Sequence, residues 1–360
     1  MKGRMDDGTD PICNISIANS TFQRNFLFSD LRGMGGSFYS IFCNVSMNDT
    51  VFKNNSITGM NDHSDDLGSI IGGAAVINGS RSVTLGPGLR FENNFLYVEA
   101  PKKNLLKNNA FGGALTISGA NLVNINGVVF ADNNISAECF RDGMTWNGEE
   151  VGGGALRLAY VGQATIQNSN FAGNSLRACR RSSGGAVSST GNTDLHVNST
   201  IFSKNYVLAT IFSDSPLPII ASGNALHSTP DSNATIRKST FEFNSAKAEY
   251  NASGATPVNT FSAFGGAVSA FNVIVRDCNF DRNLVVGLFA RGGALRIGVP
   301  SVVQSEIAGS HFSSNGVVLA NVSERREIPS FPGSTASYLS GGGAITFEVH
   351  RVLFAHVLHF

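Results

Sequence analysis

The chain has 360 residues, with 26 Lys+Arg against 26 Asp+Glu and only 14% charged residues, so it carries no field to hold nucleic acid or an anionic membrane surface. A hydrophobic content of 42% suffices for a core and excludes wholesale disorder, while 40 Gly beside 10 Pro without a three-residue period excludes collagen. Asparagine is in excess, at 36 residues, and repetition rather than two or three globular domains is the expected organisation.

Met1 to Asp10 contains no apolar stretch of the signal-peptide kind. No run of about eighteen apolar residues marks a spanning helix. Two tetrapeptides then recur along the chain. Phe-x-x-Asn begins at Phe22, Phe52, Phe91, Phe130, Phe171, Phe202, Phe241, Phe280 and Phe312. Gly-Gly-Ala followed by an aliphatic residue begins at Gly72, Gly112, Gly153, Gly184, Gly265, Gly292 and Gly342, with weaker copies at Gly35 and Gly223. The offset from first Gly to Phe is 18 in four successive pairs, from Gly112 to Phe130 through Gly223 to Phe241.

After the glycines, Ala114-Leu115-Thr116-Ile117, Ala155-Leu156-Arg157-Leu158 and Ala294-Leu295-Arg296-Ile297 alternate with period two, which predicts a strand buried on one face. Five residues before the Phe stands another aliphatic: Ile125, Ile166, Val197, Ile236, Val275 and Ile307. A third short strand carries the Phe and ends in a turn at the Asn. Each unit of about 22 residues is therefore expected to hold two or three strands and no helix. The last stretch, Arg351 to Phe360, is apolar and lacks a polar cap, so the chain reads as an internal piece of a longer stack.

Units this small cannot bury a core alone; stacking them as parallel coils does. The expected fold is all-β: a right-handed parallel β-helix of about nine to ten coils. It is a single solenoid over residues 1–360, with repeat motifs from about 13 to 354. The nine Phe then form one internal ladder, and the Asn of each motif forms an amide-bonded ladder at a turn. Gly-Gly supplies positive φ at the opposite corner. This pattern of GGA(I/L/V) and FxxN, over roughly Phe22 to Ala344, resembles the polymorphic outer membrane protein repeat family of chlamydial surface autotransporters. The resemblance implies a β-helical passenger displayed at a surface and used in adhesion, with no catalytic residues to carry over.

Cys13 and Cys43 each lie nine residues before a Phe, and Cys139 and Cys179 lie six and five after Asn133 and Asn174, so each pair falls on adjacent coils within disulfide reach. Stacked reduced cysteines are the alternative. Cys278, two before Phe280, is expected as a buried thiol. Asn-x-Ser/Thr occurs at Asn14, Asn19, Asn44, Asn48, Asn54, Asn78, Asn134, Asn198, Asn233, Asn251 and Asn321, a modest excess compatible with a glycosylated ectodomain or with biased composition. With the cysteine pairs it favours an extracellular or cell-surface location.

Right-handed β-helices also house pectate lyases and polygalacturonases, so catalysis has to be tested. Glycoside hydrolysis needs two carboxylates about one bond, and a calcium-dependent lyase needs clustered acids with a basic proton acceptor. Two outward columns are predicted: Thr116, Arg157, Ser188, His227, Ser269, Arg296, Thr346 and Asn124, Thr165, His196, Thr235, Ile274, Glu306, which hold a single acid. Asn192-Thr193-Asp194 resembles a polygalacturonase motif, but no Asp-Asp or Gly-His-Gly follows it, and Asp65-Asp66 precedes it in the wrong order. His350, His356 and His359 match no metal-ligand spacing, and neither a metal nor a cofactor is expected.

What varies is the segment from Asn to the next Gly-Gly, from eight residues (Leu284 to Arg291) to twenty-six (Gly316 to Gly341), which puts all insertions on one flank. Asp62, Asp65, Asp66, Trp146, Glu149, Glu150, Arg180 and Arg181 lie there and are the candidate binding residues; solvated loop charge and a packing Trp are the bland alternatives. The expected function is a non-enzymatic, adhesin-like surface or secreted protein that binds a protein or glycan through that flank. The alternative is a polysaccharide lyase or glycoside hydrolase of the pectate-lyase-like class.

Overall fold

The computed structural model describes residues 13–29, 33–60, 69–99, 109–138, 151–178, 181–191, 194–211, 219–250, 261–287, 289–299, 305–319 and 344–349. These form a right-handed parallel β-helix of about nine coils without helices. Each full coil contributes one strand to each of five parallel sheets. In one central coil the strands are Leu115–Ser118 (sheet I), Leu122–Asn126 (sheet II), Val129–Ala131 (sheet III), Asn134–Ala137 (sheet IV) and Val151–Gly152 (sheet V). Sheets I to IV have nine strands each and sheet V eight, every neighbour being the equivalent strand of the next coil. Measured between in-register partners of sheet I, a coil takes from twenty-seven residues (Val268 to Leu295) to fifty (Leu295 to Ile345).

The unit from Gly-Gly to Asn holds three strands, within the expected two or three, but a full coil has five, because two more follow the Asn. Sheets I, II and III carry the recognised patterns. Sheets IV and V lie inside the segment that looked like insertion: even the shortest, Leu284 to Arg291, is strand Leu284–Gly287, one residue, and strand Phe289–Arg291. No fixed motif marks these two sheets, only alternation of small and aliphatic residues.

Why two cores form follows from where the coil pinches. Sheets I, II and III enclose one core: the Phe column, Leu115, Ile117, Val123, Ile125 and their counterparts. Sheets IV and V pack face to face around a second, thinner core of Ile57, Leu96, Ile135, Leu176, Val207 and Val285 against Ile70, Ala110, Val151, Ala221, Ala263 and Ala290. The glycines stand between the two cores, and the expectation of a distant corner is corrected. The second Gly abuts the backbone just beyond the ladder Asn of its own coil; a Cβ at Gly154 would sit 2.8 Å from Ser175 O, and one at Gly185 2.8 Å from Tyr206 O. The first Gly holds φ between 57° and 71° at all eight described copies. The fold is thus a three-sided lobe and a two-walled wing joined at a neck that takes Gly on this side at every described copy but one, Asn224, which is buried there with Nδ2 donating to Gly266 O at 2.6 Å.

On the other side of the neck runs the asparagine ladder. Asn174 Oδ1 accepts from Asn133 N (3.1 Å) and Asn133 Nδ2 (3.0 Å), while Asn174 Nδ2 donates to Asn205 Oδ1 and to Phe130 O, both at 3.0 Å. The same pattern runs from Asn25 through Asn55, Asn94, Asn133, Asn174, Asn205, Asn244 and Asn283 to Asn315. The residue before each ladder Asn sits at positive φ, as at Asn54, Asn93, Asp132, Gly173 and Lys204. The corner between sheets II and III has the same requirement, met by Asn19, Asp49, Gly88, Gly127 and Asn168. Asn, Asp and Gly tolerate that region, which accounts for part of the asparagine excess.

The phenylalanines stack rung on rung, with ring centroids 4.6–5.0 Å apart and planes within 9° of parallel from Phe22 to Phe312. The seven from Phe52 to Phe280 are fully buried. Cys13 and Cys43, partners in register, form a disulfide with Cα atoms 4.6 Å apart, tying the first described coil to the second. Cys278 is a buried free thiol. Cys139 and Cys179 lie outside the described residues.

Candidate functional site

Three outward regions of this scaffold could carry chemistry. The first is the rim of the wing, where sheet IV hands the chain to sheet V. The intervening segments run from one residue (288) to thirteen (138–150) between described strands. Arg181 opens a sheet V strand at that rim and is exposed. Asp62, Asp65, Asp66, Trp146, Glu149, Glu150 and Arg180 lie outside the described residues, as do Asn192, His350, His356 and His359. The expectation of a single insertion point needs one correction: the link from Val299 to Glu306, between sheets I and II, is also long.

Leading to the rim, the outward face of sheet IV holds side chains that sequence reasoning missed, because no motif announces them. Phe26 and Phe28 are 63% and 51% exposed, more than any core-sized apolar residue of a buried strand would tolerate. Phe95 and Tyr97 stack at 6.0 Å two coils further on. Burial, and then a hydrogen bond to Glu138 with Glu99 nearby, pushes the Tyr97 hydroxyl up to about 12. Further along come Arg177, Tyr206 and Lys247, the last paired with Glu249. Alternation in the strand after each Asn was the only available signal.

The second region is the external seam where sheet V turns through Gly-Gly into sheet I. The column two residues after Ala does point outward, but the expectation that it is open is corrected: Thr116, Ser188 and Ser269 are 3%, 1% and 0% exposed. The reason is the neck. The positive-φ Gly folds the end of sheet V against this column, so Thr116 Oγ1 donates to Phe111 O and a Cβ at Gly152 would stand 3.1 Å from Ser188 Oγ. Arg157 lies over the Phe111 ring at 3.0 Å, and Arg296 over Phe264 and Phe271 at 4.4 and 5.4 Å. These are cation–π contacts that close the seam rather than open a cleft.

Between the arginines His227 Nδ1 stands 3.3 Å from Ser222 Oγ. Burial in this seam, and secondarily the positive charge of Arg296, pushes its pKa down to about 4. The ring is neutral near pH 7 and a weak base. Its depressed pKa means that it supplies stability that is complete above the ordinary value of 6.5 and is lost as pH falls toward 4. The expected loss is at most about 3 kcal/mol. In urea titrations at pH 7 and pH 4, His227→Gln should lose less stability on acidification than the parent; an equal loss in both would place the acid sensitivity elsewhere.

The third region is the face of sheet II, a flat array of amides and hydroxyls: Asn124, Thr165, His196 and Thr235 in one column with Asn126, Gln167 and Asn198 beside it. Its one acid of the expected column, Glu306, is gripped by Arg276 through two bonds of 3.0 and 2.7 Å, which hold its carboxyl below the usual range. Among the described residues two outward carboxylates stand on neighbouring rungs of sheet III, Glu242 and Asp281. Asp281 accepts from Ser313 Oγ at 2.7 Å and lies 3.4 Å from Arg282 Nε. No group of three or more His, Cys, Asp or Glu suited to a metal occurs among the described residues.

The fold defines a class: a parallel β-helix whose repeated geometry lies inside and whose insertions concentrate on one wing. Comparison of the chain with protein-family models, with curated proteins and with solved structures finds no match in any of the three.

Proposed function

We propose that the protein is a non-enzymatic surface or secreted scaffold that binds a protein or glycan partner through its wing, in the manner of an adhesin. The observation that carries this reading is the concentration of insertions at the rim between sheets IV and V, on a stack that repeats in register from coil to coil. Ladders of identical residues make the shaft rigid, so a partner meets preorganised loops and little binding energy is lost in ordering the support. The aromatic and basic side chains of sheet IV, Phe26, Phe28, Tyr97, Arg177 and Tyr206, are of the kinds enriched at recognition surfaces. The resemblance of the GGA and FxxN repeats to the polymorphic outer membrane protein family supports the same reading, and the Cys13–Cys43 bond supports an oxidising, extracellular setting. No helix among the described residues is long and apolar enough to cross a membrane.

A carbohydrate-active enzyme is the competing reading, supported only by the β-helix itself. A glycan array probed with the purified chain, run beside a polygalacturonate depolymerisation assay, separates the two. Binding without release of shortened or unsaturated products is expected; product formation abolished by Glu242→Gln or Asp281→Asn would overturn the proposal. Replacing residues 139–150 by the one-residue connection found at position 288 should weaken binding at least about tenfold, roughly 1.4 kcal/mol, with the unfolding midpoint unchanged. Undiminished binding by that variant and by equivalent ones at the other coils would place the partner elsewhere.

A further inference from the structure

We propose that the exposed sequon asparagines Asn14, Asn19, Asn48, Asn54 and Asn233 carry N-linked glycans, and that these stand on the lobe and leave the wing clear. The inference rests on the extracellular placement proposed above. Nine of the eleven sequons fall on described residues, and none of their asparagines is buried. The nine buried asparagines among the described residues, by contrast, include Asn55, Asn94, Asn133, Asn174, Asn205, Asn244 and Asn283 of the ladder, and not one of the nine begins a sequon.

Hydrogen bonding separates the two populations chemically. Attachment joins the asparagine Nδ2 to the anomeric carbon of an oligosaccharide, breaks that carbon's bond to a lipid diphosphate donor, and releases one amide proton. A glycosylated amide keeps its oxygen as acceptor and one N–H. A ladder asparagine uses both Nδ2 protons, as Asn174 does toward Asn205 Oδ1 and Phe130 O, and its neck has no volume for a sugar. The outward asparagines make no such demand. Asn14 accepts from Asn44 Nδ2 at 3.0 Å through its oxygen alone, a bond that survives modification of either residue.

Position supplies the second observation. Asn14, Asn48 and Asn233 lie in sheet II strands, Asn19 at the corner between sheets II and III, and Asn54 at the corner between sheets III and IV. None lies in a strand of the wing. Glycans at these points would cover the flat amide and hydroxyl face and shield it from association, while the rim stays accessible.

The test is mass spectrometry of the protein isolated from its native cells, before and after a peptide N-glycosidase acting in heavy-oxygen water, which marks each released site as Asp. Expected are a glycan-sized loss of mass and marking at most of the five asparagines, with Asn48→Gln removing one glycan and leaving the unfolding midpoint unchanged. Unchanged mass in protein recovered from the cell surface or medium overturns this inference and leaves the proposed binding function standing. Marking at only a minority of the five, or chiefly at the half-buried Asn44, Asn78, Asn134 and Asn198, also overturns it. Recovery of unmodified protein only from inside cells overturns both the inference and the extracellular placement.

Discussion

Replacing Phe171 with alanine should lower the free energy of unfolding by about 3 to 5 kcal/mol, the cost of truncating a buried aromatic in a core that cannot collapse onto the gap. Its ring is fully buried, with neighbouring ring centroids 4.6 Å away at Phe130 and 5.0 Å away at Phe202. Both neighbours are fixed by in-register parallel strands, so neither can slide into the space. Phe22, half-buried at the first described coil and stacked on one neighbour, should cost distinctly less. Arg181→Ala, at the exposed rim, should be within about 0.5 kcal/mol of the parent. Urea unfolding read by circular dichroism checks the ranking. Because coils interact with nearest neighbours, amide exchange should show the Phe171 defect spreading to the flanking coils first. Equal, small effects at Phe171 and Arg181 would mean that the Phe column does not hold the lobe together.

Asn174→Asp should be about as damaging at neutral pH, by about 4 kcal/mol or more, although it changes one atom group and no volume. The substitution removes both Nδ2 donors and turns a carboxylate toward Phe130 O and Asn205 Oδ1, two acceptors, in a fully buried site. Desolvation and the lost donors favour the neutral acid, so the folded pKa of the new carboxyl rises above its unfolded value of about 3.9. The variant is therefore most stable, relative to the parent, below that unfolded value, where the protonated acid donates one bond. It loses stability as pH rises through the folded pKa. Urea midpoints of variant and parent should converge at low pH and separate toward pH 7. A constant gap would show that charge is not what the ladder resists, and Asn174→Ala, which removes the same donors and orphans the Asn133 amide without adding charge, would then match it.

The ladders are the part of the fold that a reader of the sequence can recover. Phe-x-x-Asn fixes which side chain sits over which, because any shift by one residue would turn every Phe outward and leave each Asn without its partners. The same frame brings Cys13 beside Cys43, and places Cys278 in the interior. The candidate site was legible only as a place. Arg181 lies at the rim, while the side chains leading to it, Tyr97, Arg177 and Tyr206, follow no motif and differ from coil to coil.

What the amino-acid order determined, then, is that equivalent residues stack in parallel, since identical side chains at fixed offsets satisfy one another's packing and hydrogen bonds regardless of the path between them. Only the tertiary structure decided that the path makes two cores and a neck. That depends on residues about twenty apart, Gly154 and Ser175 among them, meeting after three corners of positive or constrained φ. The same closure buries Thr116, Ser188 and Ser269 beneath the end of sheet V, an outcome that strand alternation, which reports only which way a side chain points, does not contain.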